Sequence, residues 1–201
     1  NLGVMMLSAG IWTFAGQLVT PFQSLYIYYL GGSYFHIGLT TSVAAISSIL
    51  PTIIGGQLAD TYGRKKMLYS MSFIVSFNFL LFSFAKNLRW LVAASIINSL
   101  ALGFRQPSFA SIIDDSTDEE NRAQSYALWS IVPPLFGLAS PYLMGLYMDK
   151  QGVVEALRIG YLFLFAASFI ASILRYLYIE ETLPVKDQRN ISVNGLANEA
   201  W

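Results

Sequence analysis

Apolar residues run along this chain in long segments, and charged residues are concentrated in the breaks between them. Residues 1–59 contain no Asp, Glu, Lys or Arg. A soluble domain carries roughly a quarter charged residues, so such a stretch does not fit a fold surrounded by water. A helix needs about 20 mainly apolar residues to cross a hydrocarbon core of roughly 30 Å. The pattern therefore predicts a helical protein that crosses a membrane several times.

Division of the chain at its charged clusters and Gly-rich breaks predicts six membrane spans. Their approximate bounds are 2–30, 37–59, 67–85, 90–113, 123–148 and 156–179. Gly31, Gly32 and Ser33 form the first break, and because this break is short the first two helices should be antiparallel neighbours. Arg158 and Arg175 lie near the ends of the sixth span, where long cationic side chains can snorkel to the membrane surface.

Six spans place both ends of the bundle on one side of the membrane. The Lys and Arg residues assigned to that side are Arg64, Lys65, Lys66, Arg122, Arg175, Lys186 and Arg189. The other side has Lys86, Arg89, Lys150 and Arg158. Because cytoplasmic loops are enriched in Lys and Arg, we predict an integral protein of the cell (plasma) membrane with both termini in the cytoplasm. Residues 1–183 form the predicted six-helix domain, and 184–201 form a cytoplasmic tail or the start of a central linker.

Composition excludes several classes of function. Lys+Arg 12 balances Asp+Glu 12 without a basic cluster, so nucleic acid is not an expected partner. With Cys 0 and His 1, no disulfide, thiolate metal site or histidine metal centre is expected. The spans also offer no Ser and His pair for hydrolysis. We therefore expect neither an enzyme nor a bound cofactor.

The junction between the second and third spans reads GGQLADTYGRKK. Gly56 and Asp60 lie four residues apart on one helix face, so the glycine would allow a neighbouring helix to approach beside a carboxylate. Gly63 permits a tight reversal of the chain. Arg64 and Lys65 place positive charge at the level of the lipid headgroups and offer Asp60 a partner. This junction is thus predicted to connect two helices through charged residues at the membrane surface.

The same junction resembles the signature loop of the major facilitator superfamily, Gly-x-x-x-Asp-Arg-x-Gly-Arg-Arg/Lys, with Thr61 where the family usually has Arg. A second resemblance lies at the end of the fourth span, where four residues recur at the spacing seen in many members: Pro107, Ala110, Asp115 and Arg122. Residues 180–184 also look like the end of the first half of the superfamily fold. These matches cover most of the chain.

The resemblance implies a cytoplasmic latch. In the family, the carboxylate at the position of Asp115 interacts with the loop pair that corresponds to Asp60 and Arg64. Such a contact ties the fourth helix to the turn between helices two and three and can favour one conformation. The predicted latch residues are Gly56, Asp60, Gly63, Arg64, Lys65 and Asp115. The alternative is that Asp115 merely belongs to the solvated acidic run 114–120.

The fifth span resembles the Gly-Pro motif of the antiporters of the superfamily, with Ser140 before Pro141. Gly137, Pro141 and Gly145 are spaced by four and form one stripe. We predict that the stripe allows close packing with a neighbouring helix and that Pro141 bends the span. Small-residue packing is common in all membrane bundles, so the motif favours antiport only weakly.

The superfamily folds as twelve helices in two six-helix halves, each composed of two inverted three-helix repeats. The resemblance therefore implies an all-α membrane protein of six transmembrane helices, arranged as two inverted three-helix repeats and equivalent to half of a major facilitator fold. Its expected partners are a small-molecule substrate, the lipid bilayer and a second six-helix half, which is either part of the same polypeptide or a second copy.

Two polar stripes mark a candidate substrate cavity. One lies on the first span and one on the fourth, each on a single helix face: Thr13, Gln17, Thr20 and Ser24, and Ser95, Asn98 and Arg105. Polar groups within hydrocarbon need partners or water, so the two stripes are predicted to face a shared wet cleft. Hydrogen bonding between helices is the alternative. Trp12 and Trp129 are candidates for stacking on an aromatic or cationic substrate, or for core or lipid contacts.

Arg105 is the one charge predicted well inside a span. Three roles remain open for it: binding an anionic group of the substrate, pairing with a carboxylate of the second half, and snorkelling. No acid is predicted in the middle of a span. If a proton is the coupling ion, the titrating acid must therefore be Asp60, Asp115 or a residue of the second half. His36 is predicted to lie in an extracellular loop.

These features together predict a secondary active transporter that moves small molecules by alternating access. Efflux of drug-like or hydrophobic compounds by antiport is the first hypothesis. Uptake or facilitated transport of a sugar, metabolite or organic anion is the alternative, with Arg105 as the group that recognises an anion. A membrane scaffold that transports nothing is the third.

Overall fold

The computed structural model describes residues 1–117 and 119–182 of the chain of 201 residues. The predicted tail, with Lys186 and Arg189, lies outside the described residues. The described part contains the helices α1 (Leu2–Val19), α2 (Gln23–Tyr29), α3 (Tyr34–Tyr62), α4 (Arg64–Ser83), α5 (Leu88–Asp115), α6 (Arg122–Gly137), α7 (Ser140–Gln151) and α8 (Val153–Tyr178). Two single turns of 3-10 helix, Thr20–Phe22 and Glu119–Asn121, connect some of them.

These helices form the six predicted spans. Helices α1 and α2 together form the first span, α6 and α7 form the fifth, and α3, α4, α5 and α8 form the others. Within the described residues, five of the six spans are long and apolar enough to cross a membrane. The exception is α5, which has the length but contains more polar residues, among them Ser95, Asn98 and Arg105. The chain is therefore an all-helical bundle of the predicted class.

Proline interrupts two of the spans. Pro21 lies in the 3-10 turn between α1 and α2, and Pro141 is the second residue of α7, directly after the break between α6 and α7. Proline has no backbone N–H, so it cannot continue the hydrogen-bond ladder to the residue four positions earlier. By contrast, α5 remains continuous through Pro107. Pro21 of the first span and Pro107 of the fourth thus have different local structures.

The helix packing has an internal twofold relation. Helix α3 packs on α5 and α4 packs on α5, which joins the second and third spans to the fourth. In the same way, α6 and α7 pack on α1, and α8 packs on α1, which joins the fifth and sixth spans to the first. Helix α4 packs on α8, joining the third span to the sixth. Exchange of the first three spans with the last three reproduces this pattern, as expected for two inverted three-helix repeats.

An aromatic cluster fills the core between the first, third and sixth spans. The rings of Phe82 and Tyr161 are stacked with centroids 4.9 Å apart, and the ring of Tyr26 lies 5.8 Å from that of Tyr161. The buried hydroxyl of Tyr26 donates to the carbonyl oxygen of Phe82 at 3.0 Å. A buried phenol needs such a partner, so this bond fixes α2 against the end of α4.

Helices α3 and α5 approach each other at backbone distance. A Cβ atom at Gly55 would lie 2.9 Å from both the Cα and the carbonyl oxygen of Phe104, and one at Gly103 would lie 2.8 Å from the carbonyl oxygen of Ser48. Gly56, which the sequence suggested as the close-contact glycine, would meet only Pro107, at 3.8 Å. The contact face of α3 is thus centred one residue earlier than expected.

Helix α3 also begins earlier than predicted. It starts at Tyr34, so His36 lies in its first turn and not in a loop. The backbone N–H of Ser33 donates to Nδ1 of His36 at 3.1 Å, which satisfies a donor at the helix start. The prediction that His36 lies in a loop was wrong. Hydropathy detects only the apolar part of the helix, whereas Ser33 and His36 add a polar first turn to it.

Candidate substrate cavity and ion-pair network

A cavity of about 640 Å³ lies between α1, α5, α6 and α8. Aromatic side chains from three helices line it, namely Trp12 of α1, Phe109 of α5 and Trp129 of α6. The rings of Phe109 and Trp129 meet edge to face with centroids 4.8 Å apart. Two cations also line the cavity, Arg105 and Arg175. We call this cavity the aromatic chamber. It contains positive charge, and two of its helices, α1 and α5, carry the polar stripes described above.

Arg105 lies within this chamber and is 7% exposed. Its guanidinium carbon lies 5.6 Å from the ring centroid of Trp12 and 5.9 Å from that of Phe109. Its Nε atom is buried without a hydrogen-bond partner among the described residues. Of the three roles left open by the sequence, snorkelling does not fit this position, because a snorkelling cation has its charged end in water.

Arg175 differs from the sequence-based interpretation, which placed it near the end of α8 as a snorkelling, cytoplasmic cation. It is 3% exposed and bonded inside the bundle. Its Nε donates to Oγ of Ser8 at 3.1 Å, and its Nη1 donates to Oγ of Ser72 at 3.0 Å. The guanidinium carbon also lies 5.7 Å from the ring centroid of Phe109. It should therefore not count as loop charge when orientation is assigned, because it connects α1, α4 and α8 internally.

Arg158, the other cation of the sixth span, behaves as the sequence suggested. Its Nη1 donates to Oε1 of Glu155 at 2.8 Å, and its Nη2 donates to the carbonyl oxygen of Ala85 at 3.1 Å. The sequence offered one signal that could have separated the two arginines. Arg158 has an acidic residue three positions away on its own helix, whereas Arg175 has none until Glu180.

The seven polar candidates do not share one cleft. Thr13 and Arg105 line the aromatic chamber. A second cavity of about 210 Å³ lies between α2, α3 and α5 and is lined by the other candidates except one: Thr20, Ser24, Ser95 and Asn98. The remaining candidate, Gln17, is exposed and lies against Gly137. Within this bundle alone the candidates therefore line two cavities, and one cleft that a second half would complete stays a prediction.

The second cavity contains hydroxyl and amide groups and no charged side chain among its lining residues. Nε2 of Gln23 donates to Oγ of Ser95 at 3.5 Å across it. Oδ1 of Asn98 is buried without a partner within the described part of the chain. The cavity thus presents neutral hydrogen-bonding groups on three helices.

At the end of the bundle near Arg64, the predicted latch residues form an ion-pair network. Nε of Arg64 donates to Oδ1 of Asp60 at 3.2 Å, within the turn between α3 and α4. Nη1 of Arg64 pairs with Oδ2 of Asp115 at the end of α5. One guanidinium therefore connects both carboxylates, although Thr61 supplies no second cation and instead donates to the carbonyl oxygen of Gln57. The arrangement is the one that the resemblance implies.

Glu181 adds a contact that the sequence did not predict. Its Oε1 accepts from the backbone N–H of Arg64 at 3.0 Å, and its Oε2 accepts from that of Lys65 at 3.1 Å. These N–H groups are at the start of α4 and have no partner within the helix. The carboxylate of Glu181, which follows α8, therefore caps the N-terminus of α4. The Nζ of Lys65 lies 6.0 Å over the ring of Tyr176. The network thus joins α3, α4, α5 and the segment after α8.

Gly63 makes room for this cap. Its φ of 101° is a conformation that favours glycine, and a Cβ atom there would lie 2.6 Å from Oε2 of Glu181. Asn1 lies at the same end, where its Oδ1 accepts from the backbone N–H of Glu180 at 2.9 Å. Both ends of the six-span unit are therefore on one side of the bundle, together with the latch.

The residues of the fifth span have unequal environments. A Cβ atom at Gly137 would lie 2.8 Å from Cγ of Gln17, so α6 and α1 are in close contact there. Ser140 is fully buried at the start of α7. Nothing within the described residues approaches Gly145 closely enough to meet an added Cβ atom. Within the described residues, the predicted packing stripe therefore does not extend to Gly145.

Groups of His, Asp and Glu that could hold a metal ion are not found within residues 1–117 and 119–182. The two cavities are lined by hydroxyl, amide, guanidinium and aromatic groups, which are not a ligand set for a divalent cation. The arrangement is suited to the binding of an organic molecule.

Comparison with known proteins places this geometry in a family. The chain is 29% identical over 185 residues to the multi-drug resistance efflux pump PmrA of Streptococcus pneumoniae, which covers 90% of this chain and 45% of the pump. It is 26% identical over 149 residues to a Na(+), Li(+), K(+)/H(+) antiporter of Planococcus maritimus, which covers 68% of this chain and 34% of the antiporter. The chain thus spans less than half the length of these relatives.

Solved structures show the same fold. A crystal structure of the peptide transporter POT in complex with alafosfalin matches with a TM-score of 0.70 at 17% identity, and covers 87% of this chain and 37% of the other. The family model described as Major Facilitator Superfamily matches residues 4–197. The chain is therefore an integral membrane protein that belongs to the Major Facilitator Superfamily.

Proposed function

We propose that this chain forms one half of a secondary active transporter that exports small, largely hydrophobic compounds by alternating access. The aromatic chamber between α1, α5 and α6 is the observation that supports this function best. Three aromatic rings on different helices offer a large apolar contact area to a flat or bulky molecule, with little need for directed hydrogen bonds. Such a site accepts varied compounds because apolar contact has no fixed direction.

The relatives support export. One relative is a multidrug efflux pump, and the match with this chain covers under half of the pump's length. We propose that a second six-helix half, in the same polypeptide or in a second copy, closes the other side of the chamber. We further propose that the complete transporter lies in the plasma membrane, with the latch and both ends of the six-span unit on the cytoplasmic side.

Protons are the proposed coupling ion. A cation/proton antiporter is among the relatives, which is consistent with antiport. Arg64 binds both Asp60 and Asp115 and so connects the turn between α3 and α4 to the end of α5. Protonation of either carboxylate would weaken its pair with the guanidinium, so these two acids are the candidates for titration in this half.

Uptake of a hydrophilic metabolite is the second candidate function. The second cavity favours it, because its Ser, Thr, Asn and Gln groups resemble the hydrogen-bonding partners that a sugar needs. The volume of about 210 Å³ is small for this purpose in a single half, so a second half would have to complete the site.

Efflux of the neutral dye N-phenyl-1-naphthylamine tests the proposed function. Cells that express the full-length protein are loaded with the dye without an energy source and are then energised with glucose. We expect the dye fluorescence to fall faster than in cells with the empty vector, and an uncoupler of the proton gradient should abolish the difference. Equal rates in both cells would contradict export of neutral hydrophobic compounds. If labelled arabinose and other metabolites also fail to move, the scaffold hypothesis would replace both transport functions.

A further inference from the structure

Arg105 is a buried cation whose hydrogen-bonding capacity is not fully used within the described structure. A guanidinium has five N–H donors, and the Nε–H of Arg105 is buried without an acceptor in residues 1–117 and 119–182. The described chain pairs two other arginines with carboxylates, Arg64 with Asp60 and Asp115, and Arg158 with Glu155. A cation in an aromatic chamber is stabilised by an anionic partner, and the described residues supply none to Arg105.

The surroundings of Arg105 point to a ligand of particular shape. Trp12 and Phe109 lie next to the guanidinium, which can stack on their faces and keep its edge free for an acceptor. Arg175 adds a second positive charge to the same cavity, and its orientation is fixed by Ser8 and Ser72. Two cations in one apolar chamber repel each other until a negative group lies between them.

We propose that the aromatic chamber binds compounds that combine an aromatic body with one anionic group, a carboxylate or a sulfonate, and that Arg105 binds this group. Arg175 strengthens the positive field and orders the site. The inference rests on the proposed function and narrows its substrates to aromatic organic anions. Charge-assisted bonds between a guanidinium and a carboxylate are about twice as strong as neutral ones, so the anion is preferred over its neutral analogue.

Binding of two matched compounds tests the proposal. Tritiated 1-naphthoate and 1-naphthamide have the same ring system and differ in charge. Equilibrium dialysis measures the affinity of each for the full-length protein in nanodiscs of zwitterionic lipid. Three variants are compared with the native protein: Arg105→Gln, Arg105→Lys and, as a control, Arg89→Gln, which makes the same exchange at an exposed position of α5.

We expect the native protein to prefer 1-naphthoate, and Arg105→Gln to weaken that binding about tenfold or more. Binding of 1-naphthamide by Arg105→Gln should stay within about twofold, which also shows that the variant is folded. Arg105→Lys should retain part of the preference because it keeps the charge, and Arg89→Gln should retain all of it.

Two outcomes would overturn the proposal. One is a native protein that binds the two compounds equally or prefers the amide. The other is an Arg105→Gln variant whose affinity ratio for the two compounds is that of the native protein, which would indicate that Arg105 pairs with a carboxylate of the second half. Neither outcome depends on the dye assay. If the dye is exported but the protein does not prefer 1-naphthoate, the proposed function stands and the anion site is refuted. If the dye is not exported but the protein prefers 1-naphthoate through Arg105, the anion site stands and export of the neutral dye is refuted.

Discussion

At the scale of single residues, Arg64 and Glu181 connect four segments of the bundle. Arg64 uses its side chain to bind Asp60 and Asp115 and uses its backbone N–H to bind Glu181. The ion pairs are partly exposed and each contributes little on its own, whereas the cap satisfies donors that have no other partner. Glu181 should therefore be the more important of these contacts for the structure of the turn.

Replacement of Glu181 with Ala tests this view. We expect Glu181→Ala to lower the stability of the first turn of α4 by about 1 kcal/mol, the usual cost of a lost N-terminal cap. Hydrogen exchange of the amides of Arg64 and Lys65 should accelerate about fivefold. Glu180→Ala is the matched control, because Glu180 contributes its backbone N–H to Asn1 and that group survives the substitution. Equal exchange rates in the two variants would refute the cap.

Single residues also mark the limit of the sequence analysis. The ion pairs of Asp60, Arg64 and Asp115 were accessible from the sequence because a motif fixes their types and spacing. The burial of Arg175 was not, because its environment depends on Ser8 and Ser72, which come from two helices far away in the chain. Hydropathy measures the length and polarity of a span and contains no information on which neighbour faces a given side chain.

At the scale of helices, the sequence predicted where the spans lie but not how they are rotated. Charged clusters and glycine breaks define the spans well because the length of a helix that crosses a bilayer is fixed by the bilayer. Rotation depends on packing, and here the sequence suggested Gly56 and Gly145 as contact positions. The structure has Gly55 in close contact instead of Gly56, and of the two predicted glycines of the fifth span it has Gly137 in close contact and not Gly145. A shift of one residue on a helix turns the face by about 100° and changes the partner.

The contact between α3 and α5 yields a prediction with an adjacent control. Gly55→Ala places a methyl group 2.9 Å from the backbone of Phe104, so the helices must separate. We expect the free energy of unfolding to fall by about 1–3 kcal/mol. Gly56→Ala should raise it by up to about 1 kcal/mol, the gain of Ala over Gly in helix propensity, since its nearest contact is 3.8 Å away. Both variants gain the same helix propensity, which cancels in the comparison.

Titration with a denaturing detergent, followed by circular dichroism, measures both unfolding free energies. If Gly56→Ala is as destabilising as Gly55→Ala, the face of α3 assigned to α5 is incorrect.

The same packing is relevant for the proposed transport, because α3 and α5 belong to different three-helix repeats. A rigid joint at Gly55 and Gly103 would allow the six spans to move as one body while the ends of the chamber open and close.

At the scale of the whole molecule, the six spans form the proposed half of a transporter. The twofold relation of the helix contacts accounts for the position of the chamber, because the first and fourth spans are equivalent in the two repeats and both contribute to it. The fold class and family followed from the sequence, since both rest on span number and motifs. The division of the polar residues into two cavities did not, because it depends on how the helices pack against one another and not on spacing along one helix.

We propose that the substrate binds in the chamber between α1, α5 and α6. The chain has Cys 0, so a single introduced cysteine reports on one position of this half. Ala110 lines the chamber and is exposed within it, whereas Ile170 is an exposed apolar residue of α8 that does not line it. The most direct measurement is the rate at which a charged, water-soluble methanethiosulfonate reagent labels each position in the full-length protein, with and without 1-naphthoate.

We expect Ala110→Cys to be labelled and to be protected by 1-naphthoate, because water reaches the chamber and the ligand fills it. Ile170→Cys should react slowly both with and without 1-naphthoate. We expect lipid to cover this face of α8, and a charged reagent does not enter lipid. An Ala110→Cys variant that reacts no faster than Ile170→Cys, or whose reaction is unaffected by the ligand, would contradict the assignment of the chamber as the substrate site.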